Sequence, residues 1–187
     1  MQTVAIILNA LVAVSGAAAL WAQYCKHGAR VWKDYTTLSN LLGIITSLIF
    51  VFCPDTAFGK GMQFTGTVCL TVTLLVVLAV LGPKSGYRHM LFSYPLVVLH
   101  LTAPLMSLVS LLFFEQTPAL GQQWIFVAPV LTTIYGAVAI TMNILKKWNG
   151  PYPFLCVYQQ SVLASILWGV AIIGGTFGLS WLLWWLC

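Results

Sequence analysis

The stretch Leu91–Phe114, LFSYPLVVLHLTAPLMSLVSLLFF, decides the fold class of this chain. Its 24 residues contain no Asp, Glu, Lys or Arg, and His100 is its one readily titrating side chain. About 20 predominantly apolar residues are enough for a helix to cross the ~30 Å hydrocarbon core of a bilayer. The stretch therefore predicts a membrane span with His100 deep inside it. An ionisable side chain at that depth faces the bundle interior, needs a partner and marks a functional site.

Composition extends this assignment to the whole chain. Of 187 residues, 60% are hydrophobic and 6% are charged, whereas soluble domains carry about 25% charged residues. A helix satisfies its own backbone hydrogen bonds in lipid. We therefore predict an all-α integral membrane protein, a six-transmembrane-helix bundle that forms one domain over residues 1–187. The six predicted spans cover residues 4–24, 36–53, 62–82, 91–114, 123–145 and 158–186.

The positive charges predict the orientation of the bundle. Seven Lys and Arg residues fall in the connections between spans 1 and 2, 3 and 4, and 5 and 6, whereas Lys60 alone falls on the opposite side. Positively charged loops face the cytoplasm, so these three connections are expected there and both termini outside. The net charge of +5 then follows from topology and anionic lipid headgroups, and no nucleic-acid partner is predicted. The first Lys is Lys26, after the first apolar run, so this run is expected to be a span and not a signal peptide.

The residue types argue against several kinds of site. The five cysteines have no paired spacing, and no Cys/His pattern of metal ligands accompanies them. We therefore predict no metal, no other cofactor and no disulfide framework. No carboxylate pair lies within the spans, which argues against a glycosidase-like site, and no mid-span Lys is available for a retinal Schiff base. His100 is the remaining acid–base candidate.

A polar cluster at the start of the second span supplies partners for His100. Its members are Thr36, Thr37, Ser39 and Asn40. Asn40 is the i+3 neighbour of Thr37 and the i+4 neighbour of Thr36, so one polar stripe can face the bundle interior. A histidine base beside such a hydroxyl activates it as a nucleophile. The same residues also fit structural roles, as caps or backbone-bonded hydroxyls for Thr and Ser, and as an interhelical hydrogen bond for His100.

Other polar side chains are candidates for the lining of the same cavity. Tyr135 lies in the fifth span and Gln160 at the start of the sixth, and each also fits an interhelical hydrogen bond. Pro95 and Pro104 flank His100 in its span. They are either ordinary kinks or kinks that open a cavity beside the imidazole.

The depth of the two central candidates presents a difficulty. The predicted boundaries put Thr37 near the cytoplasmic edge and His100 about nine residues deep, a gap of roughly 10 Å at 1.5 Å per residue. A tilt of about 20° closes only part of this gap. The two side chains meet only if the second helix begins before Thr37 inside the membrane, or if the fourth begins deeper.

Three stretches of the chain together resemble one family of membrane proteins. They are Tyr35–Leu42 (YTTLSNLL), His100–Leu105 (HLTAPL) and Asn149–Leu155 (NGPYPFL). In order and approximate spacing they are similar to the androgen-induced protein family of multi-span lipid hydrolases and its bacterial six-span relatives.

The resemblance implies a reaction and residues for it. Active members of the family hydrolyse fatty acid esters of hydroxy fatty acids with a membrane-embedded threonine nucleophile and a histidine. By resemblance the threonine is Thr37, with Thr36 one place away, and the histidine is His100. Asn40 stands where some relatives carry an acidic residue. The bacterial relatives imply a bacterial plasma membrane as the location.

The favoured hypothesis is an intramembrane hydrolase of lipid esters, with membrane lipids and an acyl-ester substrate as its partners. Thr37 is the expected nucleophile and His100 its base, while Asn40 or a backbone amide stabilises the oxyanion. The expected substrate-binding residues are Thr36, Asn40, Tyr135 and Gln160. One alternative is a lipid- or small-molecule-binding or transport protein with a buried histidine, and another is a non-catalytic membrane scaffold. An oligomer is compatible with all three.

Overall fold

The computed structural model describes residues 1–115, 120–148 and 152–187, and within these ranges the chain is mostly helical and contains no strands. Eight α-helices occur there, together with five short segments of 3₁₀ or π geometry. The helices are α1 (Gln2–His27), α2 (Tyr35–Phe52), α3 (Ala57–Val76), α4 (Gly82–Ser85), α5 (Tyr87–Phe92), α6 (Ala103–Phe113), α7 (Trp124–Ile144) and α8 (Val162–Leu186). The 3₁₀ and π segments are Gly28–Lys33, Val77–Leu81, Val98–Thr102, Pro153–Leu155 and Val157–Gln159.

Five of the helical segments are long and apolar enough to cross a membrane. They are Gln2–Lys33, Tyr35–Phe52, Ala57–Ser85, Trp124–Ile144 and Val162–Leu186. Their positions agree with five of the six apolar runs in the sequence. The chain is therefore all-helical, with several long apolar helices that are compatible with a membrane bundle.

The remaining apolar run, the fourth predicted span at residues 91–114, differs from the single helix that its composition predicts. The chain forms α5, leaves helical geometry at Ser93 and resumes a helix that covers Val98–Phe113. Pro95 lacks an N–H and disfavours helical geometry at the residue before it. At 1.5 Å per residue the 16 residues of Val98–Phe113 extend about 24 Å. This is shorter than the ~30 Å hydrocarbon core of a typical bilayer.

Helix α3 forms the centre of the bundle. Most of its residues are buried, and Phe64, Val68 and Val72 pack with Leu111 of α6 in the largest hydrophobic cluster. Two glycines allow neighbours to approach closely. A Cβ at Gly61 would lie 1.9 Å from the Trp124 ring of α7, and one at Gly66 would lie 2.0 Å from the Thr46 hydroxyl of α2. By contrast, most of α8 is exposed to its surroundings.

The connections that carry most of the positive charge meet at one end of the bundle. The Lys33 ammonium lies 5.5 Å from the centre of the Trp148 ring, which joins the α1–α2 connection to the end of α7. Ser85 and Met90 share a cavity wall with Lys26, which adds the connection between α3 and α6. We call this end the basic end. Lys60 lies at the opposite end, beside Asp55 and Glu115.

Candidate functional site

A cavity of about 840 Å³ lies at the basic end, and Thr37 and His100 both line it. We call it the polar cavity. The end of α1 and the Gly28–Lys33 turn form one wall, the first turn of α2 a second, and residues around α5 and the Val98–Thr102 turn a third. Its other lining residues are Gln23, Lys26, His27, Arg30, Val31, Lys33, Asp34, Thr36, Leu81, Ser85, Met90, Leu96, Leu99 and Tyr152.

The imidazole of His100 is oriented by its backbone surroundings. His100 lies in the π-helical turn Val98–Thr102, a kind of distortion that is frequent at functional sites. Its Nδ1 donates to the carbonyl oxygen of Met90 at 3.0 Å, so Nε2 carries the lone pair of the neutral ring. The residue is 4% exposed. Within residues 1–115, 120–148 and 152–187, Nε2 has no hydrogen-bond partner, yet it is not among the fully buried unpaired atoms. Its lone pair is therefore available to accept a hydrogen bond.

Thr37 also lines the polar cavity, from the first turn of α2. Thr37 is the third residue of α2 and is 4% exposed. Its hydroxyl makes no hydrogen bond within the described part of the chain, and it too is absent from the fully buried unpaired atoms. A helix leaves its first backbone N–H groups without intrahelical partners, and the Asp34 side chain does not cap those of α2. The first turn of α2 thus contributes Thr36 and Thr37 to the lining of the cavity, and the Thr36 N–H is bonded to the Tyr152 hydroxyl.

Hydrogen bonds of Asn40 connect the first turn of α2 to the turn that carries His100. Its Nδ2 donates to the carbonyl oxygen of Thr36 at 2.8 Å and to that of Leu99 at 3.1 Å. The residue before His100 therefore lies level with Asn40, one turn along α2 from Thr37. Side chains on a helix lean toward its N-terminus, and the His100 ring accordingly reaches back to Met90. Both contacts act to reduce the depth gap that the predicted span boundaries imply.

The side chains of Thr36 and Tyr152 form a partition beside the polar cavity. The Tyr152 hydroxyl accepts from the Thr36 N–H at 3.1 Å and lies 3.3 Å from the Thr36 hydroxyl. Burial raises the pKa of Tyr152 to about 12, so its phenol is neutral. Both residues also line a second cavity of about 230 Å³, which we call the apolar cleft. Its other lining residues are Tyr35, Val72, Thr73, Val76, Thr132, Thr133, Tyr135, Gly136, Ala137, Ile140, Phe154, Leu155, Ser165, Trp168, Gly169, Ile172 and Ile173.

The predicted substrate-binding residues fall in different places. Thr36 lines both cavities, and Tyr135 lines only the apolar cleft, where its hydroxyl donates to the carbonyl oxygen of Lys33 at 2.9 Å. Asn40 lines neither cavity and uses its amide hydrogens for the backbone contacts above. Gln160 also lies outside both, and donates to the Phe154 carbonyl at 2.8 Å and to the Ser165 hydroxyl at 3.0 Å.

The mouth of the polar cavity is positively charged. Lys26, Arg30 and Lys33 line it, and Asp34 is the one carboxylate among its lining residues. Burial raises the pKa of Asp34 from 3.8 to about 6, while His27 acts to lower it. The carboxylate is therefore mostly ionised at neutral pH and loses its charge in mildly acidic solution.

The sequence did not predict two networks of buried polar residues. Tyr152 is one partner in the partition, and no feature of its own spacing predicts that role. At the opposite end, Glu115 Oε1 accepts from Ser110 at 2.7 Å and from Asn9 at 3.0 Å, and burial raises the pKa of Glu115. The polar residues Asn9 and Ser110 within apolar spans were the available indication, since such residues often hydrogen-bond between helices.

Comparison with known proteins identifies no relative of this chain. No protein-family model, no curated protein and no solved structure matches the chain. Of the third stretch that carries the family resemblance, residues 149–151 lie outside the described residues, while residues 152–155 contribute Tyr152 and the adjoining 3₁₀ turn.

Proposed function

We propose that this protein is a six-span integral membrane hydrolase of lipid esters, with Thr37 as nucleophile and His100 as general base. One observation carries the proposal: Thr37 and His100 both line the polar cavity. The His100 ring has its Nδ1 hydrogen donated to Met90, so Nε2 is the nitrogen that can take a proton. A hydroxyl and an oriented base around one cavity are the parts that nucleophilic acyl transfer requires.

The reaction proceeds in two steps. Thr37 Oγ1 attacks the acyl carbonyl as His100 Nε2 removes its proton, and the tetrahedral intermediate collapses when His100 returns that proton to the leaving alkoxide. Water then attacks the acyl-Thr37 ester with His100 removing its proton, and the tetrahedral intermediate collapses with release of the fatty acid as His100 returns that proton to Thr37 Oγ1. The N-terminus of α2, including the Thr37 N–H, stabilises the oxyanion. In this proposal it replaces Asn40, whose amide hydrogens are bonded to backbone carbonyls.

The apolar cleft is the proposed acyl-chain site. Its walls are mostly apolar, and it shares Thr36 and Tyr152 with the polar cavity, so a chain attached to the reacting carbonyl has an apolar space next to the nucleophile. Tyr135 belongs to this acyl site. The basic end is proposed to face the cytoplasm of a bacterial plasma membrane, with both termini outside.

Turnover of a fluorogenic octanoate ester by the purified protein in lipid nanodiscs tests the assignment. We expect Thr37→Ala and His100→Ala to lower kcat by about 10²–10⁴-fold, with partial activity in Thr37→Ser. Thr71→Ala is the matched control, because its hydroxyl bonds only the Thr67 carbonyl of its own helix. Rapid quenching followed by mass spectrometry of peptides is expected to find the acyl group on Thr37 and not on Thr36. Equal turnover in all of these proteins would overturn the proposal.

A lipid-binding or transport function is the second candidate. It is favoured by polar side chains that continue through the core beyond the polar cavity, where Gln63, Thr67 and Ser107 share hydrogen bonds. A hydrolase confined to the basic end has no need of them. A lipid that co-purifies and stays intact over hours in the wild-type protein would favour this function over hydrolysis.

A further inference from the structure

The walls of the polar cavity carry an excess of positive charge. Lys26 lies at the end of α1, and Arg30 and Lys33 lie in the turn that follows. Asp34 is the one carboxylate among the lining residues, and its electrostatic partner is His27. Contact with the Trp148 ring leaves the charge of Lys33 in place, because an aromatic ring is neutral. Among its lining residues the polar cavity thus carries three cations and one carboxylate.

The preference for positive charge on the cytoplasmic side explains why these loops are basic. It does not explain why three of their cations line a cavity. Four other cations of the basic end are absent from the lining, namely Lys84, Arg88, Lys146 and Lys147. They satisfy the same topological preference without facing the nucleophile. The three lining cations instead precede Thr37 by four to eleven residues, and the first turn of α2 lines the same space. Both features favour an anion at the cavity mouth.

The size of the charge indicates the kind of anion. With Asp34 ionised, the three cations leave an excess of about two positive charges. A phosphate monoester carries about −1.5 to −2 at pH 7 and three strong acceptor oxygens. A carboxylate carries −1 and has two, and a neutral glyceride offers no charge for Arg30 and Lys33. Arginine also binds phosphate through two parallel hydrogen bonds.

We propose that the substrate of the Thr37–His100 site is an ester lipid with a phosphomonoester headgroup. Lys26, Arg30 and Lys33 bind the headgroup at the cavity mouth, the ester lies beside Thr37, and the acyl chain extends toward the apolar cleft. This inference rests on the proposed hydrolase function for the position of the ester. The binding of the headgroup is measurable without turnover.

Binding is tested with the Thr37→Ala protein, which keeps the cavity and lacks the nucleophile. Native mass spectrometry would compare retention of dioleoyl phosphatidate, phosphatidylcholine and dioleoylglycerol. We expect phosphatidate to be retained at least tenfold better than either, with Arg30→Gln and Lys33→Gln each abolishing the preference. Lys84→Gln and Lys147→Gln are the matched controls and should preserve it. Inorganic phosphate at millimolar concentration should displace little phosphatidate, which separates a lipid site from a free-phosphate site.

Kinetics of the wild-type protein complete the test. We expect a lower KM for phosphatidate than for dioleoylglycerol or for a carboxylate-headed ester, and a rise of about tenfold in KM with little change in kcat on Arg30→Gln. A preference for the carboxylate-headed ester, or equal retention of all three lipids by Thr37→Ala, would overturn the phosphomonoester proposal. Selective retention of phosphatidate without any turnover would instead overturn the hydrolase and leave a phosphate-specific lipid site.

Discussion

The side-chain amide of Asn40 donates to the carbonyl oxygen of Leu99 at 3.1 Å, and this contact joins α2 to the turn that bears His100. Asn40 is 2% exposed, so neither group has water as an alternative partner. The same Nδ2 also donates to the Thr36 carbonyl. One amide thus sets how far along α2 the His100 turn lies, and with it the relation of Thr37 to the imidazole.

Removing that amide should lower both the stability of the fold and kcat, with the larger effect on kcat. Asn40→Ala leaves the Leu99 carbonyl buried without the amide hydrogen, and we expect a loss of about 1–3 kcal/mol in stability together with a clear fall in kcat. Thermal unfolding in detergent and ester turnover measure the two effects. Thr71→Ala, which loses a hydroxyl bonded within its own helix, serves as control. Full turnover by Asn40→Ala would show that the register is set elsewhere.

The partition between the two cavities predicts a change of chain-length preference. Tyr152→Ala removes the ring that lines both cavities and should raise the ratio of turnover on sixteen-carbon to eight-carbon esters. Tyr152→Phe keeps the ring and loses only the hydrogen bonds to Thr36, so its chain-length profile should stay close to that of the wild type. If the two variants shift the profile equally, the ring does not separate the spaces.

The pH dependence of stability should contain a contribution from Asp34. Burial raises its pKa from 3.8 to about 6, so between these values the folded protein binds more protons than the unfolded chain. Stability is therefore expected to fall as pH rises from about 4 to 6, and Asp34→Asn should remove this component and be relatively more stable above pH 6. Melting temperatures from pH 4 to 7.5 measure it, with Asp55→Asn as control. An unchanged slope in Asp34→Asn would contradict the expectation.

The close approach of α3 to α7 predicts a steric effect at Gly61. A methyl group there meets the Trp124 ring at 1.9 Å, so Gly61→Ala should cost about 1–3 kcal/mol through overpacking. Gly175→Ala is the matched control, because apart from its chain neighbours and its own helix backbone no atom of the described residues lies within 4 Å of a Cβ at that position. Thermal unfolding distinguishes the two. Equal melting temperatures would mean that α7 moves aside at little cost.

Particular helices show how far composition alone predicts this fold. The runs 36–53 and 123–145 correspond to α2 and α7 within two residues at each end, because the partition of apolar side chains into lipid depends on the sequence of one segment at a time. The prediction of a single helix over residues 91–114 was wrong. Pro95 interrupts the helix, and apolar content alone does not indicate such a break. Nothing in the composition of that run indicates the π-helical geometry at His100.

The candidate site divides in the same way. The sequence alone singled out Thr36, Thr37, Asn40 and His100 as polar or titratable residues within apolar runs, since their burial in lipid demands partners. It did not distinguish the structural amide of Asn40 from a substrate contact, separate Gln160 from the cavities, or indicate Tyr152 as their partition. Membrane helices are apolar on most sides, so sequence periodicity says little about which face meets which neighbour. Those relations were decided by tertiary packing, in which buried amides and hydroxyls take the hydrogen-bond partners that adjacent helices bring within reach.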